Sequence, residues 1–161
     1  MYLKLMDEIK TLMESAVEQA GYKADDMSLG ESAHADVSSS LPFRLAKELK
    51  KNPMEISKDI VSHLGKSEYV DHVEVAGAYI NFYASQHYVT ESLEEILKQG
   101  VADGTFRSDI SIPVLAALVT HTLVSVTDMR ILGVRFSSEG ISAEDLVAFC
   151  LAGVMAPSTA R

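Results

Sequence analysis

Val73-Glu-Val-Ala-Gly77-Ala-Tyr79-Ile-Asn-Phe-Tyr83 is the stretch on which the fold turns. Val73 and Val75 alternate with polar neighbours, Gly77-Ala78 follows, and Ile80 and Phe82 then alternate with Tyr79, Asn81 and Tyr83. A period of two marks a strand with one buried face, so the stretch predicts a hairpin-like pair of strands. Ile80 and Phe82 then enter the core, and Tyr79, Asn81 and Tyr83 share the opposite face. Two aromatic rings flanking an amide make a stacking platform with a hydrogen-bonding group at its centre. An unpaired base suits such a surface, because its flat face stacks and its edge needs a donor and an acceptor. An ordinary half-exposed strand shows the same alternation, so the pattern alone leaves both readings open.

Upstream, Met6, Ile9, Leu12, Met13, Ala16, Val17 and Ala20 recur at a helical period over residues 2–20, and Gly21 is placed as a stop. Residues 22–40 are polar and irregular and predict loop around one or two short strands. Pro42 belongs in the first turn of a second helix that carries Phe43, Leu45, Ala46 and Leu49 inward. Asn52-Pro53-Met54-Glu55 reads as cap, first helical residue and capping-box acid of a third helix ending at Gly65. The chain of 161 residues has a formal net charge of −9, which disfavours a phosphate backbone as partner. Charge is unevenly laid out, however. Between Leu41 and Lys58 stand Arg44, Lys47, Lys50, Lys51 and Lys58 against only Glu48 and Glu55. Such a face can dock phosphates on an acidic body, and it is equally what a solvated helix face looks like.

After Ser85 every remaining segment reads as helix. Val89, Leu93, Ile96, Leu97 and Val101 form one amphipathic stripe closed by Gly104, and Ser111-Ile112-Pro113 opens a long apolar helix to about Met129. Ser142-Ala143-Glu144-Asp145 caps a last helix, Leu146 to Met155, stopped by Pro157. That helix is apolar almost all round, so it needs cover on every side. A second copy is the expected cover, with Leu146, Phe149, Cys150 and Val154 in a four-helix homodimer interface. The expected fold class is an α+β N-terminal domain, a short antiparallel sheet with helices, over residues 1–88. An all-α helical dimerisation domain is expected over residues 89–161.

Several segments occur together and in order: His34-Ala-Asp36-Val-Ser-Ser, Phe43-Arg-Leu-Ala-Lys47, Asn52-Pro53 with its Ile56-x-x-x-Ile60-Val61 helix, and Val75-Ala-Gly77-Ala-Tyr79-Ile-Asn81-Phe82. Over about residues 1–95 the combination resembles the N-terminal additional domain of arginyl-tRNA synthetases, archaeal-type ones in particular, and His87-Tyr88-Val89 continues the match. The resemblance implies a small α+β unit that grips the outer corner of tRNA, where D-arm bases are exposed. It also implies that Tyr79 and Asn81 touch a base. Ala78 departs from the proline usual there, and Ala76 from the polar contact residue of some members, which lowers the expected affinity. Downstream, Leu93-Glu-Glu-Ile-Leu-Lys-Gln-Gly100-Val-Ala-Asp-Gly104-Thr-Phe-Arg107-Ser-Asp109 resembles the turn before the dimerisation helices of TetR-family regulators. The helix-turn-helix of that family is not read here, so no DNA contact is expected.

Catalytic signals are missing from this reading. The ATP-site H-x-G-H of the resembled synthetases has as its nearest string His63-Leu64-Gly65-Lys66, placed at a helix C-terminus where carbonyls rather than amides face out. No phosphate-cradling glycine loop, nucleophile elbow or clustered metal ligands are read, so no catalytic residue, metal or cofactor is expected. Cys150 is the single cysteine, which excludes an intramolecular disulfide and fits a reducing, cytoplasmic setting. The N-terminus lacks a signal-peptide pattern, and residues 112–126 are too short and polar to span a bilayer. His121, Thr122, Ser125 and Asp128 fall near one side of the long helix, as a pocket lining or as plain solvent-facing positions.

The expectation is therefore a tRNA-binding module joined to a helical dimer, cytoplasmic and not itself an enzyme. Arg44, Lys47 and Lys51 position the phosphate backbone, and Tyr79, Asn81 and Tyr83 read a splayed base. Two rivals stand beside it: a TetR-like ligand-sensing dimer, and an incomplete arginine–tRNA ligase.

Overall fold

A computed structural model describes residues 2–127 and 152–155. The chain forms two compact units, Met1–Val89 and Thr90–Arg161.

In the first unit, helix α1 (Tyr2–Gln19) lays Leu5, Ile9, Met13 and Val17 along one stripe, each four residues from the last, and all four are buried. The helix stops where Gly21 takes φ +77°: Gly21 N donates to Glu18 O and Tyr22 N to Val17 O, a Schellman closure that only glycine enters without strain. Strands β1 (Leu29–Gly30) and β2 (Val37–Ser39) follow, then helices α2 (Leu41–Leu49) and α3 (Pro53–Ser62). Both helices carry proline in the first turn, and Asn52 caps α3 by accepting from Met54 N at 2.9 Å.

Strands β3 (Val70–Ala76) and β4 (Tyr79–Ala84) form the expected hairpin, completing an antiparallel four-stranded sheet in the order β1-β2-β4-β3. The fold class of this unit is α+β, with helices following. Ala76 pairs with Tyr79, so Gly77 and Ala78 make a two-residue loop. Of those two only Gly77 has positive φ, +64°, which is the type II′ pattern that matches strand twist. An irregularity between Val70 and His72 shifts the register of β3. The extra residue lets Val70 and Val73 both pack against the core despite their odd spacing. Val37, Ile80 and Phe82 are fully buried under α1, α2 and α3 residues such as Ile9, Leu45, Ile56 and Ile60, with Tyr88 closing the cluster.

Helices α4 (Gln86–Ala102) and α5 (Ile112–Thr127) follow. In the second unit Leu97, Leu115, Ala116 and Val154 form a small core flanked by Phe106, Ile110 and Val119. The Phe106 ring lies where a side chain at position 100 would project, with 2.1 Å to a Cβ placed there, so only Gly100 fits. Arg107 holds the segment 153–154: its backbone N donates to Val154 O at 3.0 Å, and its guanidinium reaches Gly153 O while forming a bidentate pair with Asp109.

Three expectations are corrected here. Phe43 faces outward rather than into the core, because Leu41, Pro42 and Leu45 define the buried side of α2, while Leu49, on the Leu45 side, is exposed as the last residue of the helix. A residue two positions from Leu41 or Leu45 is rotated by about 200° from each, onto the opposite side. Met155, read as the last residue of a helix, pairs instead as an isolated β-bridge with Phe106. Val154, read as a dimer-interface residue, is only 7% exposed and packs within its own chain. Leu146, Phe149 and Cys150 lie outside the described residues, as do Asp128 and the side chains of Thr122 and Ser125. Among the described residues no helix is long and apolar enough to cross a membrane.

Candidate functional site

The sheet has one face on the core and one turned away, and β4 is central, so side chains of three strands meet on the outer face. Register fixes the neighbours. Ser38 of β2, Asn81 of β4 and Glu74 of β3 lie in one row, and Gly30 of β1 extends it beside Ser38. Tyr79 pairs with Ala76 at one end, and Tyr83 pairs with His72 at the other.

Tyr79 is the open aromatic of the set, 47% exposed, and it packs against Phe43 of α2 with ring centroids 4.9 Å apart and planes at 60°. Phe43 is 37% exposed, so the pair makes a two-ring surface beside the hairpin turn. Lys47 stands one helical turn after Phe43, on the same side of α2, and is exposed. Sequence reasoning assigned Phe43 to the core. The four-residue spacing of Leu41 and Leu45 was the signal that would have placed it here.

Asn81 does share this face with Tyr79 and Tyr83, but it is not an open group. It is 5% exposed, walled by its cross-strand neighbours, and Ser38 Oγ donates to its Oδ1. Tyr83 is engaged too. His72 stacks on its ring at 4.3 Å with planes only 8° apart, and the phenol donates to His34 O at 3.0 Å and Glu74 Oε2 at 3.3 Å. Partial desolvation, then the Glu74 carboxylate, raises the Tyr83 pKa above that of an ordinary phenol. One face of the Tyr83 ring is therefore occupied by His72.

The basic residues divide in the same way. The Arg44 guanidinium bonds Asp26, 3.3 Å from its Oδ2, and also the Asp26 carbonyl. The Ser28 backbone N–H, and then Arg44, hold that carboxyl below the usual carboxylate range. Lys51 Nζ sits 5.6 Å over the Tyr22 ring. The Tyr22 phenol donates to Asp59 at 2.7 Å, and burial followed by that carboxylate pushes its pKa up to about 12. Arg44 and Lys51 thus have partners within the chain, and Lys47 is exposed on the Phe43 side of α2. The outer face itself carries Glu74 and His72, with Asp36 accepting from Ala84 N at 2.8 Å. It suits the neutral edge and flat face of a base better than a phosphate.

His63 ends α3, so the His63-Leu64-Gly65-Lys66 string does lie at a helix C-terminus. Among the described residues no group of three His, Cys, Asp or Glu side chains could hold a metal ion.

Comparison with known proteins gives this face a context. The family model of the arginyl tRNA synthetase N terminal domain matches residues 7–84, the segment that builds α1 to β4. The arginine–tRNA ligase of Methanocella arvoryzae is 69% identical over 99 residues, covering 62% of this chain and 18% of the ligase. That of Methanococcoides burtonii is 36% identical over 106 residues, covering 65% and 19%. Among solved structures, Thermus thermophilus arginyl-tRNA synthetase overlaps 56% of this chain and 15% of that one, at 25% identity and TM-score 0.45. The chain thus spans about a fifth of the length of these curated relatives.

Proposed function

From the relationship of residues 7–84 to the arginyl-tRNA synthetase N-terminal domain, we propose that the first unit of this chain binds tRNA through the outer face of its sheet. The observation that carries the reading is the exposed Tyr79–Phe43 pair set beside the Asn81 amide. A splayed base of the D-arm or elbow stacks on Tyr79, while Lys47 meets a backbone phosphate. With Arg44 and Lys51 held inside the chain and a net charge of −9, stacking rather than counterion release carries the affinity. Titration of the chain with bulk tRNA by gel shift, at two salt concentrations, tests this. Saturable binding with a shallow salt slope, of about one phosphate contact, is expected. No binding at either concentration would overturn it.

Catalysis belongs to other residues than these. The curated relatives are ligases of about five times the matched length, and the match falls on one segment of them. The chain alone is expected to show no arginine-dependent pyrophosphate exchange, and a reproducible rate above background would refute that. Self-association through the second unit is a separate reading, supported by exposed Val114 and Leu118 one turn apart on α5. Sedimentation equilibrium checks it, with a monomer mass at all concentrations counting against it.

A further inference from the structure

We propose that the free edge of β3 is a docking site for an extended polypeptide segment in which basic and aliphatic residues alternate. The segment adds to the sheet as a fifth strand. The proposal is independent of tRNA binding at the outer face.

The strand order β1-β2-β4-β3 leaves two edges, and they are unequal. β1 has two residues, whereas β3 runs for seven, Val70–Ala76, and pairs with β4 alone. Its pairing is regular from His72 to Ala76, because the irregularity lies between Val70 and His72. In a two-residue hairpin the residues flanking the loop exchange both hydrogen bonds, and every second pair beyond them does the same. Ala76, Glu74 and His72 therefore turn their backbone groups toward β4, and Val73 and Val75 turn theirs outward. Among the described residues no hydrogen bond joins Val73 or Val75 to a group outside the sheet. None of the seven residues is buried, in contrast to Ile80, Asn81 and Phe82 of β4. A row of open donors and acceptors is a template for another strand.

The two flanks of this edge select what kind of strand fits. On the core side a groove of about 280 Å³ runs from Val73 past half-buried Leu12 and Leu64, with Lys66 at its rim. Residues opposite Val73 and Val75 share their face, so every second side chain of the added strand meets this groove, and aliphatic ones match it. On the other side Asp71 and Glu74 are exposed, with His72 between them in sequence. Basic side chains pair with those carboxylates across the strands. The same carboxylates repel a phosphate backbone. They also repel a second copy of this chain, whose net charge is −9. Charge and bulge thus guard the edge against self-pairing and leave it open to a basic strand.

Fluorescein-labelled six-residue peptides, titrated into the full chain by fluorescence anisotropy, test this. One alternates lysine with valine and another alternates glutamate with valine. Two more are the lysine peptide methylated at its valine nitrogens or at its lysine nitrogens. The lysine peptide is expected to bind about ten-fold tighter than the glutamate one. Methylating the valine nitrogens removes the bonds to Val73 and Val75, two neutral hydrogen bonds at about five-fold each, and should weaken binding about 25-fold. Methylating the lysine nitrogens, which face away from β3, should change little. Hydrogen exchange of the Val73 and Val75 amides should slow when the lysine peptide is added. Val75→Pro removes one outward N–H without taking a bond from β4, and should lower affinity about five-fold. Glu74→Lys, an exposed change that keeps the strand whole, should bring the lysine-to-glutamate ratio close to one.

Equal affinity of the two methylated peptides, or unchanged amide exchange, overturns strand addition. So does absence of binding by the lysine peptide. A parent lysine-to-glutamate ratio of one overturns the basic partner. Slowing of the two amides with rising chain concentration alone would assign the edge to a second copy. Slowing on addition of bulk tRNA would assign it to RNA. Either result also overturns the proposal.

Discussion

The two faces of strand β4 are built from alternate residues of one six-residue segment, yet they obey different rules. Ile80 and Phe82 are wholly buried and owe their place to the area of apolar surface they remove from water. Tyr79, Asn81 and Tyr83 are placed by particular neighbours: Phe43 beside one ring, Ser38 on the amide, His72 over the other ring. Burial tolerates any well-packed apolar residue of similar volume. Pairing does not. Equal chemistry in the sequence, two tyrosines on one face, becomes unequal exposure once partners are assigned.

The largest test of that contrast is Phe82→Ala, which leaves a cavity in the centre of the core. It should cost about 3–5 kcal/mol of folding free energy, read as a fall in the urea midpoint at unchanged slope. A loss under about 1 kcal/mol would mean that the inner face is not the stabilising one. Tyr79→Ala should do the reverse, leaving the midpoint nearly unmoved while weakening tRNA binding by about 1–3 kcal/mol. Equal affinity of mutant and parent would show that the exposed ring is not a base platform.

Phe43→Ala sharpens the boundary between the faces. If Phe43 were a core residue, as its helix context first suggests, the change would resemble Phe82→Ala. As a half-exposed buttress of Tyr79 it should cost about 1 kcal/mol of stability, with a drop in RNA affinity smaller than that of Tyr79→Ala. Guanidinium melts and gel shifts on the same preparation separate the two outcomes.

The smallest expected effect is on titration. The Tyr83 phenol is raised from its ordinary value of 10.0 by partial desolvation and by Glu74, so the folded state holds its proton more tightly than the unfolded one. Its contribution to stability is present below pH 10 and fades as pH rises through the folded-state pKa. Glu74→Gln should move the phenolate absorbance transition of Tyr83 downward. An unchanged transition would mean that Glu74 does not act on that ring.

Much of the first unit was legible before any coordinates. The hairpin followed from alternation and Gly77, α3 from the Asn52-Pro53 cap, and α1 from its stripe and the Gly21 stop, because each signal is local in the chain. The β3 irregularity was not legible. A one-residue register shift is chosen by the pairing of two strands, and Val70, Val73 and Val75 show only that the simple alternation fails somewhere. The engagement of Arg44 was hidden for a similar reason, since Asp26 lies 18 residues away and meets it only across a loop.

The amino-acid sequence by itself determined the local elements, the inner face of β4 and the residue types available on its outer face. Backbone propensity and apolar periodicity act over a few residues, so they are written in neighbours along the chain. Only the tertiary structure decided which polar groups stay open. Ser38 and Asn81 are 43 residues apart, and Tyr83 and His34 are 49 apart. Such hydrogen bonds form because folding brings distant segments side by side, neighbouring strands at about 5 Å, and a buried or crowded polar group takes whatever partner that approach supplies.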